Sequence, residues 1–164
     1  MNIGFLVVDM QKIFLDELRE KINVQRAVEH INYVSEMLRS KGHCIVHIQD
    51  IEDENENNSH QIDFIPEIVI AESDLRLKKI KSNSFMDTDL EKLLKDKEVE
   101  LIIVSGFSAE HCVLFTYNGA LERGFNSVIL QNGILSANIS AVSETQRDRN
   151  LISYPVVEYL TKSA

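Results

Sequence analysis

The stretch VSGFSAEHCVLFTYNGALERGF, residues 104–125, decides the fold. It completes an apolar strand, VELIIVSGF (99–107), and continues as a helix that ends at Gly124. A strand that leads directly into a helix is typical of an α/β protein. Cys112 falls within about the first turn of this helix, so its thiol is either a small core residue or a nucleophile.

Three other apolar runs have the length and composition of buried parallel strands. They are IGFLVV (3–8), CIVHIQ (44–49) and NSVILQ (126–131). The weaker alternation in DLRLKKI (74–80) predicts a short fifth strand. The acidic and aperiodic segment DIEDENENNSHQID (50–63) predicts a loop.

Helical spacing occurs between these strands. Apolar residues recur at intervals of three and four over 24–39, and Gly42 is a plausible end of that helix. TDLEKLLKD (88–96) predicts a second helix, and two more are expected near 141–149 and from Pro155. Strands and helices that alternate, with no internal repeat or linker, predict a single α/β domain over residues 1–164 with a mainly parallel sheet.

Composition narrows the possible partners. The formal net charge of -9 offers no basic surplus for nucleic acid or an anionic membrane surface. No apolar run approaches the length of about 18 residues that a membrane-spanning helix needs. The partner that we expect is a small-molecule substrate.

The two cysteines indicate a reducing compartment. Cys44 and Cys112 lie in different elements, and the opening MNIGFLVVDMQ has the pattern of a strand and not of a signal peptide. We therefore expect no disulfide and a cytoplasmic location.

Two residues are positioned for chemistry at the carboxyl ends of the parallel strands, where ligands bind in such sheets. Asp9 closes the first strand, and Cys112 follows the strand at 99–107. The first turn of a helix favours a thiolate through its free N–H groups and its dipole. Asp9 either caps a turn or has a cationic partner, for which the lysines of RLKKIK (76–81) are candidates.

Three blocks of the chain resemble the isochorismatase-like cysteine hydrolase superfamily. FLVVDMQKIF (5–14) resembles its opening strand, and KIKSNSFMDTDLEKLL (79–94) resembles its second block. LIIVSGFSAEHCVLFTYNGALERGF (101–125) resembles the third. The blocks keep the order and roughly the spacing of the family. The resemblance implies a three-layer α-β-α sandwich with a Rossmann-like topology.

The resemblance also implies a catalytic group of Asp9, Lys79 and Cys112, with Lys79 chosen because it lies six residues before a phenylalanine. It implies a cis peptide between Phe107 and Ser108, and an oxyanion hole formed by the backbone amides of Ser108 and Cys112. The implied reaction is hydrolysis of a small amide or related acyl compound, at a non-peptide C–N bond, through a covalent thioester.

Three aromatic residues, Phe14, Phe85 and Phe107, are candidates to line the substrate pocket, and ordinary core packing is the alternative for each. The resemblance further implies a homo-oligomer, either a dimer or a tetramer. Two other functions remain open at this point. One is cleavage of an ether, as in isochorismatase, and the other is a catalytically silent binding or assembly role.

The segment after the second strand departs from the metal-binding members of the family. Nicotinamidases bind a divalent metal through an Asp-x-His pair and a further histidine, whereas here Asp50 is followed by Ile51 and Glu52. His47 and His60 lie nearby in sequence, but the spacing matches no familiar ligand set. We therefore predict neither a metal nor any other cofactor.

Overall fold

The computed structural model describes residues 1–162. Its strands are β1 (Asn2–Val8), β2 (Cys44–Asp50), β3 (Leu75–Lys79), β4 (Val99–Phe107), β5 (Asn126–Leu135) and β6 (Leu151–Ile152). Its α-helices are α1 (Lys12–Leu15), α2 (Val24–Ser40), α3 (Ser59–Ile62), α4 (Leu90–Asp96), α5 (Leu114–Glu122), α6 (Ile139–Asp148) and α7 (Tyr154–Thr161). A 3-10 turn at Asp16–Leu18 follows α1, and a π-helical turn at Ala109–Val113 precedes α5.

The six strands form one sheet in the order β3-β2-β1-β4-β5-β6, and each neighbouring pair is parallel. This is the Rossmann-like order that the family resemblance predicted. The strand order reverses between β1 and β4, where successive crossovers leave in opposite directions. Ligands bind in the crevice that such a reversal opens at the carboxyl ends of the strands. Asp9 and Cys112 both follow the strands that flank it.

Helices cover both faces of the sheet, which confirms the three-layer architecture. Side chains alternate along β1, so Phe5 contributes to the apolar cluster under α2 and Leu6 to the opposite cluster. Helix α2 contributes Ile31 and Leu38 to the first cluster, whereas α5 contributes Tyr117 to the second. None of the helices formed by residues 1–162 combines the length and apolar character needed to cross a bilayer.

Gly106 allows the carboxyl ends of β1 and β4 to approach closely. Its φ is +111°, and a β-carbon built on it would lie 2.0 Å from the Val8 carbonyl oxygen. A side chain at this position would therefore require the two strands to separate. The glycine brings the segments that follow Val8 and Phe107 together above the sheet.

The structure also differs from the sequence-based expectations. β5 continues to Leu135, beyond the predicted end at residue 131, because the β4–β5 pairing shifts register between Val104 and Gly106 and then resumes. The short elements α1, α3 and β6 were not predicted. The turn that carries Cys112 is π-helical rather than α-helical, and the Val113 amide donates to the Ser108 carbonyl at 3.0 Å.

Candidate active site

Asp9, Lys79 and Cys112 lie together at the carboxyl edge of the sheet. Asp9 directly follows β1, Lys79 is the last residue of β3, and Cys112 lies in the π-helical turn after β4. The Lys79 ammonium donates to Asp9 Oδ2 at 3.0 Å and to Cys112 Sγ at 3.6 Å. The Asp9 and Lys79 side chains are sealed from solvent, whereas Cys112 is partly exposed.

Asp9 has an unusual main-chain conformation. Its φ of +51° lies in the left-handed region, which aspartate and asparagine tolerate better than most residues. Its amide donates to the Ile48 carbonyl at 2.9 Å, so the conformation is fixed by the neighbouring strand. Asp9 Oδ2 accepts from Lys79, but Oδ1 is buried without a hydrogen-bond partner among the described residues.

Asp50 is a fourth member of this cluster, which sequence reasoning considered only as a possible metal ligand. Its Oδ2 accepts from Lys79 Nζ at 2.7 Å, a shorter contact than that of Asp9. Asp50 and Lys79 are register partners on β2 and β3, so their side chains project from the same face of the sheet. The available signal was that both residues end neighbouring parallel strands.

Burial dominates the electrostatics of the cluster. Burial raises the pKa of Asp9 to about 6, although the Lys79 ammonium opposes this change. Burial, followed by the Asp9 charge, raises the pKa of the Cys112 thiol to about 12. Burial lowers the pKa of Lys79, but the Asp9 charge and the hydrogen bonds to Asp50 and Asp9 oppose this change, and the pKa is raised. At neutral pH the site therefore contains a carboxylate, an ammonium and a protonated thiol.

The protonated state of the Cys112 thiol differs from the expectation drawn from the sequence. The sequence position of Cys112 near a helix start predicted stabilisation of a thiolate. In the folded protein the loss of hydration and the nearby carboxylate outweigh the opposing charge of Lys79. A thiolate would therefore form only when a base removes the thiol proton, and the Asp9 carboxylate belongs to the same cluster.

The turn between β4 and α5 is held by a carboxylate. Glu110 accepts hydrogen bonds from the hydroxyls of Ser108 and Ser136, each at 2.9 Å. These bonds join the cysteine-bearing turn to the segment after β5. The peptide bond between Phe107 and Ser108 is cis.

The three candidate pocket residues occupy two environments. Phe14 and Phe107 are partly exposed and stack with their ring centroids 5.6 Å apart, next to the reactive edge. Phe85 is only 4 % exposed, and its ring packs between Phe125 and the Arg123 guanidinium. Its position supports a core role and does not support its assignment to the substrate pocket.

The histidines considered as metal ligands are engaged elsewhere. His47 is fully buried, with Nε2 at 3.2 Å from Asp74 Oδ2. His60 is exposed on α3, with Nδ1 at 3.7 Å from Asp63 Oδ2. Neither histidine therefore joins Asp50 in a ligand set.

Potential ligand atoms of Asp9, Asp50 and Cys112 do lie within 4.8 Å of one another. However, Lys79 Nζ hydrogen-bonds to all three residues and already supplies the positive charge among them. A divalent cation in contact with the same ligands would face the ammonium at close range. The residues present therefore do not fit the metal site of nicotinamidases.

Comparison with known proteins agrees with this architecture. The sequence model of the isochorismatase domain family matches residues 4–151 of this chain. Among curated proteins, the chain is 27% identical over 149 residues to the isochorismatase family protein YrdC of Bacillus subtilis (strain 168), covering 88% of this chain and 80% of YrdC. It is 31% identical over 146 residues to YaaI of the same organism, covering 81% and 80%, respectively.

Solved structures share the fold at lower identity. An isochorismatase-like hydrolase from Alkaliphilus metalliredigens superposes with a TM-score of 0.84 at 21% identity, covering 98% of this chain and 99% of that one. N-carbamoylsarcosine amidase from Thermoplasma acidophilum superposes with a TM-score of 0.73 at 21% identity, covering 90% of this chain and 92% of that one. Nicotinamidase PncA from Bacillus subtilis superposes with a TM-score of 0.79 at 19% identity, covering 90% of this chain and 93% of that one.

Proposed function

The chain belongs to the isochorismatase domain family, and from this premise we propose that it is a cysteine hydrolase that cleaves a small amide or related acyl compound at a non-peptide C–N bond. One observation carries the proposal: the Lys79 ammonium contacts both the Asp9 carboxylate and the Cys112 sulfur, at 3.0 and 3.6 Å. A base, a cation and a nucleophile in mutual reach are the groups that acyl transfer through a thiol requires.

The first half-reaction uses the free oxygen of Asp9. As the Cys112 sulfur bonds to the substrate carbonyl carbon, its proton passes to the Asp9 carboxylate. The C–N bond of the tetrahedral intermediate then breaks, and Asp9 returns the proton to the leaving nitrogen. Lys79 keeps its charge throughout and stabilises the anionic form of whichever partner lacks the proton.

The second half-reaction regenerates the thiol. Asp9 accepts a proton from water, and the resulting hydroxide bonds to the thioester carbon. The C–S bond breaks, the carboxylic acid product leaves, and the proton held by Asp9 returns to Cys112.

The main-chain amides of Ser108 and Cys112 are the proposed donors to the developing oxyanion. The Ser108 carbonyl accepts from the amides of His111 and Val113, and the Cys112 amide is not among its donors in the described chain. This pattern supports a Cys112 N–H that is available to a substrate. Each such donor contributes roughly 3 kcal/mol to transition-state stabilisation.

Amide cleavage is favoured over ether cleavage by the thiol itself, because a cysteine beside a base suits attack on a carbonyl carbon. Two proteins of the same fold are an amidase for N-carbamoylsarcosine and a nicotinamidase. Their substrates are therefore the first compounds to test. The misfit of the nicotinamidase metal ligands argues against nicotinamide, so neutral amides and carbamates are tested beside both compounds.

Intact-protein mass spectrometry tests the proposal directly. The protein is incubated with N-carbamoylsarcosine, nicotinamide and a panel of small amides and carbamates, then quenched in acid. An acyl adduct on Cys112 that is absent from Cys112→Ala and present in Cys44→Ala would support the proposal. Turnover of any panel member by Cys112→Ala at the wild-type rate would contradict it.

We also propose that the enzyme is a cytoplasmic homo-oligomer, either a dimer or a tetramer. The free state of Cys44 and Cys112 supports a reducing compartment. Multi-angle light scattering after size exclusion would test the assembly, and a monomeric mass at micromolar concentration would contradict it.

A further inference from the structure

We propose that Asp50 is a specificity-determining residue, which makes the Cys112 site select neutral or positively charged small molecules and disfavour anionic ones. This inference rests on the proposed role of Cys112 as the nucleophile. It follows from the charge, the exposure and the support of Asp50 in the reactive cluster.

The charge balance of the cluster is negative. Two carboxylates, those of Asp9 and Asp50, share the single ammonium of Lys79. With the thiol protonated, these groups leave one unit of negative charge uncompensated. In a partly dehydrated site a charge at contact range from a ligand is screened much less than at the surface.

Asp50 is the member of this charged group that an incoming molecule meets. The side chain of Asp50 retains 13% of its exposure, compared with 1% for Asp9 and 0% for Lys79. Asp50 also has a ligand atom within 4.8 Å of one from Cys112. A substrate that reaches the sulfur therefore passes beside the Asp50 carboxylate.

The position of Asp50 is built into the fold. Its Oδ2 accepts from Lys79 at 2.7 Å, and its Oδ1 accepts from the Glu52 amide at 2.9 Å. Its main chain is bonded on both sides to the side chain of Gln11, which is itself fully buried. Asp50 therefore cannot easily turn away from an anionic ligand.

The surroundings reinforce the same sign. The segment after Asp50 carries exposed acidic residues, among them Glu52 and Glu54. The Lys12 ammonium on α1 lies 3.3 Å from His60 Nδ1 and 3.9 Å from Asp63 Oδ2. These carboxylates add to the negative charge that Asp50 presents.

Thiol-specific methanethiosulfonates of different charge test this inference without requiring turnover. In each reaction the Cys112 sulfur forms a disulfide with the reagent, a sulfinate leaves, and the thiol proton is released. The rates of the trimethylammonium-ethyl, methyl and sulfonatoethyl reagents are measured on Cys44→Ala, so that only Cys112 reacts. Each rate is divided by that of 2-mercaptoethanol thiolate, which has no other charged group, under the same conditions.

We expect the normalised ratio of the cation rate to the anion rate to be at least about 10. Asp50→Asn should lower this ratio by about tenfold. Asp50→Glu, which keeps the charge, should preserve the ratio. Glu52→Gln, the matched control on the same segment, should change it by less than about twofold.

A wild-type ratio equal to that of the free thiol would overturn the inference. A decrease of the rate ratio in Glu52→Gln as large as that in Asp50→Asn would also overturn it. If Asp50→Asn fails to fold, the wild-type ratio and Asp50→Glu still decide. Charge selection without any acyl adduct from the amide panel would contradict the proposed hydrolase function and leave this inference intact.

Discussion

The side-chain amide of Gln11 both donates a hydrogen bond to the main chain of Asp50 and accepts one from it. The Asp50 amide donates to Gln11 Oε1 at 2.8 Å, and Gln11 Nε2 donates to the Asp50 carbonyl at 2.9 Å. The same Nε2 also donates to the Ile62 carbonyl at 2.8 Å. One buried amide thus joins the end of β1 to the end of β2 and to α3, directly beside the reactive cluster.

Replacement of Gln11 by leucine should destabilise the protein. Gln11→Leu leaves the Asp50 amide and carbonyl without their side-chain partner, whereas the Ile62 carbonyl keeps Gln49, and the expected loss in free energy of unfolding is about 2–4 kcal/mol. Urea unfolding followed by circular dichroism measures it. Gln49→Leu is the matched control, because Gln49 donates to the Ile62 carbonyl but has no bond to Asp50 in the described chain, so it should cost less than half as much. Equal losses would contradict the special role of Gln11.

The pKa of Asp9 predicts the acid limb of the pH profile. A base accepts a proton only when ionised, and this pKa is raised to about 6, so kcat/KM should rise with pH through about 6 and level off above 7. Asp9→Asn should reduce turnover at least about 100-fold with the fold retained, since asparagine tolerates a positive φ. Steady-state assays from pH 5 to 8 with the substrate found in the panel measure both effects. A profile that is flat across this range would refute the assignment.

Removal of the Lys79 charge should destabilise the protein strongly at neutral pH. Lys79→Met leaves two carboxylates together without a cation, and breaking a buried pair costs about 3–5 kcal/mol. The raised pKa of Lys79 means that its stabilisation is fully present at neutral pH and is lost only as pH rises above the ordinary lysine range.

Lowering the pH should partly restore the stability of Lys79→Met. The Lys79 ammonium lowers the pKa of Asp9 in the wild type, so this pKa is higher in Lys79→Met, and protonation of Asp9 as pH falls removes one of the two unpaired charges. The destabilisation should therefore be smaller at pH 5 than at pH 7.5, as measured by urea unfolding at both values. Lys92→Met, which removes an exposed lysine, should show no measurable change at either pH. A loss in Lys79→Met that is independent of pH would argue against this account.

Gly106→Ala should be more harmful than another glycine substitution with a similar backbone. A β-carbon at Gly106 would lie 2.0 Å from the Val8 carbonyl oxygen, so the strands must separate, and we expect a loss above about 3 kcal/mol or failure to fold. Gly124→Ala is the matched control, because Gly124 also has a positive φ but has no atom within 4 Å of the added carbon. It should cost about 1 kcal/mol. Equal melting temperatures for the two variants would contradict the close approach.

The sequence predicts the regular part of this fold well. The helix expected over 24–39 occupies Val24–Ser40, and the strand expected over 99–107 has those bounds. Apolar periodicity determined both. It carried no information on β6, which has only two residues, or on the continuation of β5, which depends on a shift in pairing with β4.

The residues of the candidate site also divide into those that the sequence predicts and those that it does not. The order of motifs brought Asp9, Lys79 and Cys112 to the correct edge, because each follows or ends a parallel strand. The contact of Asp50 with Lys79 depends on the pairing of β2 with β3, which hydrophobic pattern alone does not fix. The thiol pKa depends on how deeply the cluster is buried, which is a property of the assembled site.

Under the proposed mechanism, the pairing of Asp50 opposite Lys79 links reactivity to correct folding. A slip of β3 by one residue along β2 would turn Lys79 to the opposite side of the sheet and send Lys78 or Ile80 toward Asp9 instead. A misaligned molecule would keep most of its helices yet lack the ammonium beside the sulfur. Chemical competence of Cys112 would then report the alignment of a peripheral strand, which bulk measures of secondary structure do not detect.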